Sequence, residues 1–206
     1  MNAIPTTHIP TTGSLAALRS AAATCLACPI GRYATQTVFG EGRPSARFLV
    51  VGEQAGDQED REGRPFVGPA GQLLDKALDD AGVARADLYI TNVIKHFKFE
   101  QRGKRRLHKR ANAAEIEICS QWLHAEFKAV KTPYIVCLGA LAARTVLGRA
   151  FQLQRQRGDW VSLENGRWAL ATVHPSFVIR SRIGGGYDEA YRGFVGDLKK
   201  LNRTPE

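Results

Sequence analysis

Polar side chains with acid, base and hydrogen-bonding chemistry lie at the ends of predicted strands in this sequence. Glu53, Gln54 and Asp57 share one glycine-bracketed turn, GEQAGD, directly after the apolar run RFLVVG. Asn92 lies near the end of the apolar run LYITNV, and His174 follows the run WALATV. Turns favour such residues on their own, but carboxylate, amide and imidazole groups collected at one edge of a sheet favour a ligand-binding or catalytic site.

Two residues near that edge have a structural as well as a functional explanation. Phe66 lies in the turn GRPFVGP, where an aromatic ring either fills the core, which is the commoner case, or stacks on a flat ligand. Asn92 can read the edge of an amide-like base, although an asparagine after a strand is often only a turn former. Neither residue decides between the two explanations by itself.

Four cysteines form a second group with possible chemistry. Cys25 and Cys28 make a C-x-x-C pair, while Cys119 lies on a predicted helix and Cys137 on a predicted strand. A redox pair would use only the first two cysteines. One tight pair with two scattered cysteines favours an iron–sulfur cluster over zinc, which usually shows two tight pairs. The two scattered cysteines can also be small buried apolar residues, so the spacing leaves these alternatives open.

Positive charge is concentrated in the segment KHFKFEQRGKRRLHKR at residues 95–110, which contains the single acid Glu100. Such a run is usually a solvated surface. Here Phe97, Phe99 and His108 are interleaved with the cations, as in sites that follow a nucleic-acid strand. The histidine is either one more phosphate contact or, as a neutral imidazole at a reacting centre, a base or nucleophile.

Charge and hydropathy narrow the class of protein. The 206 residues include 29 Lys and Arg against 20 Asp and Glu, a formal net charge of +9, and this excess points to a polyanionic partner such as nucleic acid. No apolar run provides the roughly 20 residues of a membrane span, and the Thr- and Pro-rich start does not resemble a secretory signal. We expect a cytoplasmic protein with reduced cysteines, and a monomer, because no heptad pattern indicates assembly.

The elements that position these residues alternate between strand and helix. This alternation predicts a three-layer α/β/α sandwich with a central, mainly parallel four-stranded sheet, whose ligands bind at the carboxyl ends of the strands. Residues 1–12 are predicted to be a flexible tail and residues 13–206 a single domain. The predicted helices are 14–23, 68–81, 113–130, 140–147 and about 188–201, and the predicted strands are 47–52, 88–93, 134–138, 160–163 and 168–173.

Five segments resemble the UdgX-type uracil-DNA glycosylases, within the iron–sulfur uracil-DNA glycosylases. They are GEQAGDQED at 52–60, PFVGPAGQLLD at 65–75, TNVIKHFKF at 91–99, GKRRLH at 103–108 and HPSFVIR at 174–180. The resemblance extends over residues 25–201, and the first and fourth segments separate the UdgX type from the wider class. Ala55 stands where that type usually has proline and Leu107 where it usually has isoleucine. Both replacements keep the shape and polarity of their positions.

The resemblance implies a cofactor and a set of residue roles. Phe66 is implied to stack on a flipped uracil, Asn92 to read the base edge and His174 to donate to a uracil carbonyl oxygen. Gln54 and Asp57 are implied to shape the pocket. A structural 4Fe–4S cluster is implied at Cys25, Cys28, Cys119 and Cys137.

For the reaction, the resemblance implies uracil excision from DNA in which His108 attacks the sugar. The protein then stays covalently attached to C1′ of the abasic site, with Glu53 as a further catalytic group and free uracil as product. Single-stranded DNA is the expected substrate, because a paired base must first be extruded. The DNA contacts are expected from Lys95, Lys104, Arg105, Arg106, Ser176 and Arg180.

Two alternatives remain at this stage. A conventional uracil-DNA glycosylase would use water and release the abasic product, with His108 as an ordinary phosphate contact. A non-catalytic, metal-stabilised nucleic-acid-binding protein would explain the charge and the cysteines. It would not explain why Glu53, Asn92 and His174 collect at one predicted edge.

Overall fold

The apolar runs of the sequence form the strands of a central sheet in the computed structural model, which describes residues 9–10 and 13–205. The principal strands are buried along most of their length, because helices cover both faces of a parallel sheet. The strands are β1 (Phe48–Gln54), β2 (Leu88–Ile94), β3 (Phe99–Arg102), β4 (Arg105–His108), β5 (Tyr134–Leu138), β6 (Trp160–Ser162) and β7 (Trp168–Thr172).

The strand order of the central sheet is β2-β1-β5-β7-β6. The strands β2, β1, β5 and β7 run parallel, which confirms the predicted α/β fold with a mainly parallel sheet. The sheet has one strand more than the four predicted, because β6 pairs antiparallel with β7 as the first strand of the expected hairpin. This edge strand does not change where the parallel strands end.

Helices cover both faces of the sheet and give the predicted three layers. They are α1 (Leu15–Ala22), α2 (Asp57–Glu62), α3 (Pro69–Ala81), α4 (Ala113–Ala129), α5 (Ala140–Leu147), α6 (Leu153–Gln156), α7 (Pro175–Arg180) and α8 (Tyr187–Lys199). On one face, α1, α4 and α5 build a core that contains Leu18, Trp122 and Leu123. On the other face, α3, α7 and α8 build a second core that contains Leu74 and Phe194.

Local capping explains where the principal helices begin and end. The Ser14 side chain caps α1 by accepting the backbone N–H of Ala17 at 3.3 Å. Asn112 and Glu115 cap α4 reciprocally, each side chain accepting the other's backbone N–H. Gly82, with a φ of 72°, ends α3. All the predicted helices form, with ends close to those predicted.

Besides the short helices α6 and α7, two elements beside the sheet were not predicted. The helix α2 begins inside the GEQAGD turn, directly after β1. The strands β3 and β4 form a separate antiparallel hairpin inside the basic run, with Phe99 opposite His108. Both elements lie next to the carboxyl edge of the sheet in sequence, and both contribute to the candidate site.

The remaining predictions concern membranes and the chain start. Within residues 9–10 and 13–205, no helix is long and apolar enough to cross a bilayer. The predicted flexible tail, residues 1–12, lies outside the described residues except for positions 9 and 10.

Candidate active site

The carboxyl ends of the parallel strands meet at one edge of the sheet, where most of the predicted site residues collect. Gly52 of β1 lies opposite Asn92 of β2 in register, and His174 follows β7 as the N-cap residue of α7. Two adjoining cavities open at this edge, a small cavity of about 320 Å³ and a large cavity of about 880 Å³. The residues that line both are Gln54, His108, His174, Ser176 and Arg180.

Phe66 forms one wall of the small cavity in a strained backbone conformation. Its φ of 55° is the one positive value at a non-glycine position among residues 9–10 and 13–205. The ring is buried, with its centroid 5.9 Å from that of His174. A Cβ at Gly52 would lie 2.5 Å from Cζ of this ring, and a Cβ at Gly71 would overlap its carbonyl group. Strain of about 1–3 kcal/mol of this kind is concentrated at functional sites.

Two residues that line the small cavity have buried amide oxygens with no hydrogen-bond partner among the described residues. These are Oδ1 of Asn92 and Oε1 of Gln54. A buried acceptor that lacks a donor costs about 1–3 kcal/mol. The cavity is therefore suited to a ligand that brings its own N–H or O–H donor.

His174 lines the same cavity as a neutral hydrogen-bond donor. Its Nδ1 accepts the backbone N–H of Ser176 at 3.1 Å. Because a backbone N–H can only donate, the neutral ring carries its proton on Nε2. Burial, with smaller contributions from the nearby Arg180 and His108, lowers the pKa of His174 to about 4, so the ring is neutral at pH 7. A donor on His174 and an acceptor on Asn92 together match a flat ring that presents a carbonyl oxygen and an N–H group.

His108 stands at the boundary of the two cavities, at the end of β4. Its ring packs against Phe97 with centroids 6.0 Å apart, and its Nε2 lies 3.2 Å from Nε2 of Gln54. The same Gln54 nitrogen lies 3.4 Å from the carbonyl oxygen of Lys98 and 3.3 Å from that of Lys109, which identifies it as a donor. Nε2 of His108 therefore accepts, and the proton of the neutral ring is on Nδ1.

The surroundings of His108 favour the neutral imidazole. Desolvation is the largest influence on its pKa and lowers it, and Arg110 and Arg180 lower it further. Glu53, which lines the large cavity, raises the pKa, but the net direction is downward from 6.5. A neutral ring with its lone pair on Nε2 has the protonation state of a nucleophile or a general base.

Arg106 joins α2 to the β3–β4 hairpin, on which His108 lies. Its Nε lies 2.5 Å from Oδ1 of Asp57 and its Nη1 lies 2.6 Å from Oδ2 of Asp60. The Arg106 side chain is only 12% exposed and forms an internal clamp, while its expected role as a DNA contact stays a prediction. The prediction that Asp57 shapes the pocket is corrected, because Asp57 pairs with Arg106 and Arg61 and lines neither cavity.

Lys95 does not belong to the surface that the basic run predicts. Its side chain is fully buried, and Nζ lies 2.5 Å from Oε2 of Glu126 on α4. An ammonium with no solvent exposure cannot reach a phosphate from this position. The expectation that Lys95 contacts DNA is therefore corrected, and its partner is an internal carboxylate.

Other predicted DNA-binding residues are accessible to solvent. Lys104 and Arg105 are exposed on the hairpin. Arg180 is exposed on α7, with Nη1 at 3.1 Å from the hydroxyl of Ser176. Gly103, with a φ of 58°, allows the tight turn between β3 and β4 that presents the first two cations together.

The four cysteines are free thiols that lie in or against the core between the sheet and α1, α4 and α5. Nε1 of Trp122 donates to Sγ of Cys25 at 3.3 Å, and the backbone N–H of Lys95 donates to Sγ of Cys119 at 3.1 Å. Such N–H donors are typical around metal-bound thiolates, so the donor chemistry fits a four-cysteine cluster. In the described part of the chain, no three His, Cys, Asp or Glu side chains converge as a closed metal cage.

Comparison with known proteins places this arrangement in a family. The family model described as "Uracil DNA glycosylase superfamily" matches residues 39–199 of this chain. This chain belongs to the uracil-DNA glycosylase superfamily. It is 35% identical over 177 residues to a type-4 uracil-DNA glycosylase of Thermotoga maritima, covering 85% of this chain and 86% of that protein. A type-4 uracil-DNA glycosylase of Archaeoglobus fulgidus is 32% identical over 185 residues, covering 84% of this chain and 87% of that protein.

One further residue supports the site of this superfamily member and was missed in the sequence. Glu59 is buried on α2, and its Oε1 accepts the backbone N–H of Val67 at 3.1 Å and of Gly68 at 2.8 Å. Its Oε2 accepts the backbone N–H of Gly56 at 3.1 Å. Glu59 thus ties the turn after β1 to the turn that holds Phe66. An acid three residues after the N-cap residue, here Gly56, is the capping pattern that could have identified it.

Proposed function

We propose that this protein is a uracil-DNA glycosylase that excises uracil and then becomes covalently attached to the DNA through His108. The observation that carries the proposal is the small cavity, in which an unpartnered acceptor on Asn92 lies with a donor on His174. Uracil presents an N–H donor between two carbonyl acceptors, which matches this pair. Cytosine has an unprotonated ring nitrogen at the same place and would leave the Asn92 acceptor without its donor.

The residues around the small cavity support cleavage of the glycosidic bond. As the bond breaks, negative charge develops on the departing uracil and positive charge on the sugar. Nε2–H of His174 is proposed to stabilise the uracil oxygen, and Phe66 to supply a flat surface for the base. Glu53, which lines the large cavity together with His108, is proposed to stabilise the positive sugar.

The neutral protonation state of His108 supports the proposed capture of the sugar. The Nε2 lone pair forms the bond to C1′ while the electron pair of the glycosidic bond leaves with uracil. The imidazolium that results loses its Nδ1 proton, and the Glu53 carboxylate is the proposed acceptor. Gln54 holds Nε2 of His108 by a hydrogen bond before substrate arrives, and this bond must break for the attack.

The test is incubation with a single-stranded oligonucleotide containing one uracil, beside a thymine control, followed by boiling in detergent and a denaturing gel. A uracil-dependent band at the summed mass of protein and DNA is expected. Abasic product without that band would refute covalent capture but leave excision intact. Unchanged DNA in both lanes would refute the glycosylase proposal and favour a nucleic-acid-binding protein.

A conventional turnover glycosylase is the second candidate. The names of the relatives from Thermotoga maritima and Archaeoglobus fulgidus, both type-4 uracil-DNA glycosylases, support it. In that case water would add to C1′ in the place that His108 is proposed to occupy. Quantifying product against enzyme separates the candidates, because capture stops at one product per protein molecule.

Single-stranded DNA is the proposed preferred substrate. Extruding a paired base costs a few kcal/mol, and a single strand avoids this cost. The exposed Lys104 and Arg105 on the hairpin and Arg180 on α7 are proposed to contact its phosphates. Competition between matched single-stranded and duplex uracil substrates measures this preference directly.

The rate of adduct formation is expected to fall at acid pH. The pKa of His108 is lowered from 6.5, chiefly by desolvation, so the ring is neutral and competent above that pH. As pH falls through the lowered pKa, the ring gains a proton and loses the lone pair that attacks. Single-turnover adduct rates should therefore be level from pH 7 to 8 and decline with a midpoint below pH 6.5. A rate that stays level down to pH 4 would exclude His108 as the nucleophile.

We also propose that Cys25, Cys28, Cys119 and Cys137 hold a 4Fe–4S cluster with a structural role. Burial raises the thiol pKa of Cys28 and raises that of Cys119 to about 12, which is unfavourable for a redox-active pair but compatible with metal-held thiolates. Anaerobically purified protein should be brown and carry about four iron atoms per chain. Cys137→Ser should lose iron, while His124→Ala on α4 should keep it. A colourless, zinc-loaded protein would refute this assignment.

A further inference from the structure

Lys95 forms a buried link between α4 and the part of the small cavity that reads the base. Its Nζ donates to Oε2 of Glu126 at 2.5 Å, to Oγ1 of Thr91 at 2.6 Å and to the backbone carbonyl of Asn92 at 2.6 Å. An ammonium has three protons, and each has an acceptor here. The side chain is thus fully hydrogen-bonded with no solvent exposure.

The carboxylate partner is held just as firmly. Oε1 of Glu126 accepts the backbone N–H of Gly40 at 3.0 Å and the hydroxyl of Tyr89 at 2.8 Å. Thr91 donates to the same carboxylate, at 3.0 Å from Oε2. Because the position of Glu126 is determined from several sides, the ammonium of Lys95 is fixed relative to β2.

A second contact joins Lys95 to the same helix. Its backbone N–H donates to Sγ of Cys119, which precedes Glu126 by two helical turns on α4 and so lies on the same face. The residue therefore fixes the end of β2 to α4 through its backbone and through its side chain. The bond to the Asn92 carbonyl fixes the strand at the residue whose amide oxygen is unpartnered in the cavity.

We propose that Lys95 is a positioning residue for base recognition, holding the backbone of Asn92 so that its amide meets the uracil edge. This inference rests on the proposed uracil excision. It differs from the DNA contact that the basic run suggests, because a residue acting through Asn92 changes the excision rate and leaves phosphate binding unchanged. A displacement of about 1 Å at a recognition group can cost about a hundredfold in rate.

The test is a double-mutant cycle on the single-turnover rate of uracil excision. The first arm combines Lys95→Met with Glu126→Leu, which removes both charges and avoids an unpaired buried carboxylate. The second arm is Asn92→Ala, and the third is all three changes together. A second pair of substitutions, Lys95→Gln with Glu126→Gln, keeps polar side chains but removes the ammonium. This pair replaces the first if the Lys95→Met, Glu126→Leu protein does not unfold cooperatively on heating.

The expected result is a rate lower by about tenfold to a hundredfold in the pair variant, with little further loss on adding Asn92→Ala. Such non-additivity is the signature of one residue acting through another. Affinity for a uracil-free single strand, and its salt dependence, should match wild type. Leu123→Ala, a core truncation on α4, is the control, and its effect should multiply with that of Asn92→Ala.

The other outcomes overturn the proposal in distinguishable ways. If the pair variant and Asn92→Ala lower the excision rate independently, so that their effects multiply, Lys95 contributes only to stability. A pair variant with normal rate but weaker DNA binding would restore the phosphate-contact role. Wild-type protein that fails to excise uracil would remove the proposed function itself, and the positioning role with it.

Discussion

Replacing His108 with alanine is expected to lower the yield of covalent adduct by at least about a thousandfold, the order of loss that follows removal of a nucleophile. Uracil excision should persist, because the substitution leaves in place Asn92 and His174, the residues proposed to recognise the base. Removing the imidazole opens space beside Gln54 in the large cavity, which Glu53 also lines, and water can then reach C1′. The variant should therefore release abasic DNA, detected by strand cleavage in hot alkali.

The matched control is His124→Ala on α4, a histidine that lines neither the small nor the large cavity. It should form adduct at the wild-type rate. An adduct that survives boiling in detergent from the His108→Ala protein would identify another nucleophile. A variant that neither captures nor excises would mean that His108 is needed for cleavage itself, as a general base or an electrostatic group.

The edge of the sheet that carries this chemistry could be predicted from the sequence. Parallel strands all end at one edge, so residues after consecutive strands meet there without any knowledge of side-chain packing. Gly52, Asn92 and His174 are brought together by this rule alone. The rule does not predict the direction of each side chain after the strand ends. Asp57, for example, lies on α2 and points to Arg106 instead of the cavity.

The basic run shows why local charge patterns predict exposure poorly. Lys95 is adjacent to exposed cations in the sequence, yet it follows directly on the buried strand β2 and pairs with Glu126, 31 positions away. A partner so distant in sequence can be found only from the three-dimensional fold. The same charges obscure the alternation of side chains that places Phe99 opposite His108 in the hairpin.

Replacing Arg106 with alanine is expected to lower the captured fraction at least about tenfold while excision continues. A two-stranded hairpin is marginal in water by itself, so β3 and β4 depend on contacts with the rest of the protein. Arg106 and His108 alternate with Leu107 on β4 and therefore share one face. The Arg106 guanidinium packs over Phe97 and Phe99 at 5.3 Å and 5.0 Å and pairs with two carboxylates of α2.

Without this clamp, His108 would sample positions away from C1′, and displacement of about 1 Å costs up to about a hundredfold in rate. Water needs no such placement, so the ratio of released abasic product to adduct should rise. Arg106→Lys should restore little, since an ammonium cannot bridge Asp57 and Asp60 as the planar guanidinium does.

Arg102→Ala is the charge-matched control on the same hairpin, because Arg102 is exposed and pairs with Glu100. It should keep the wild-type ratio of adduct to abasic product, although it removes the same positive charge. If both variants lose adduct equally and recover it at low salt, Arg106 acts by attracting DNA. If only Arg106→Ala changes the ratio, and salt does not restore it, the guanidinium determines whether water or His108 reaches the sugar.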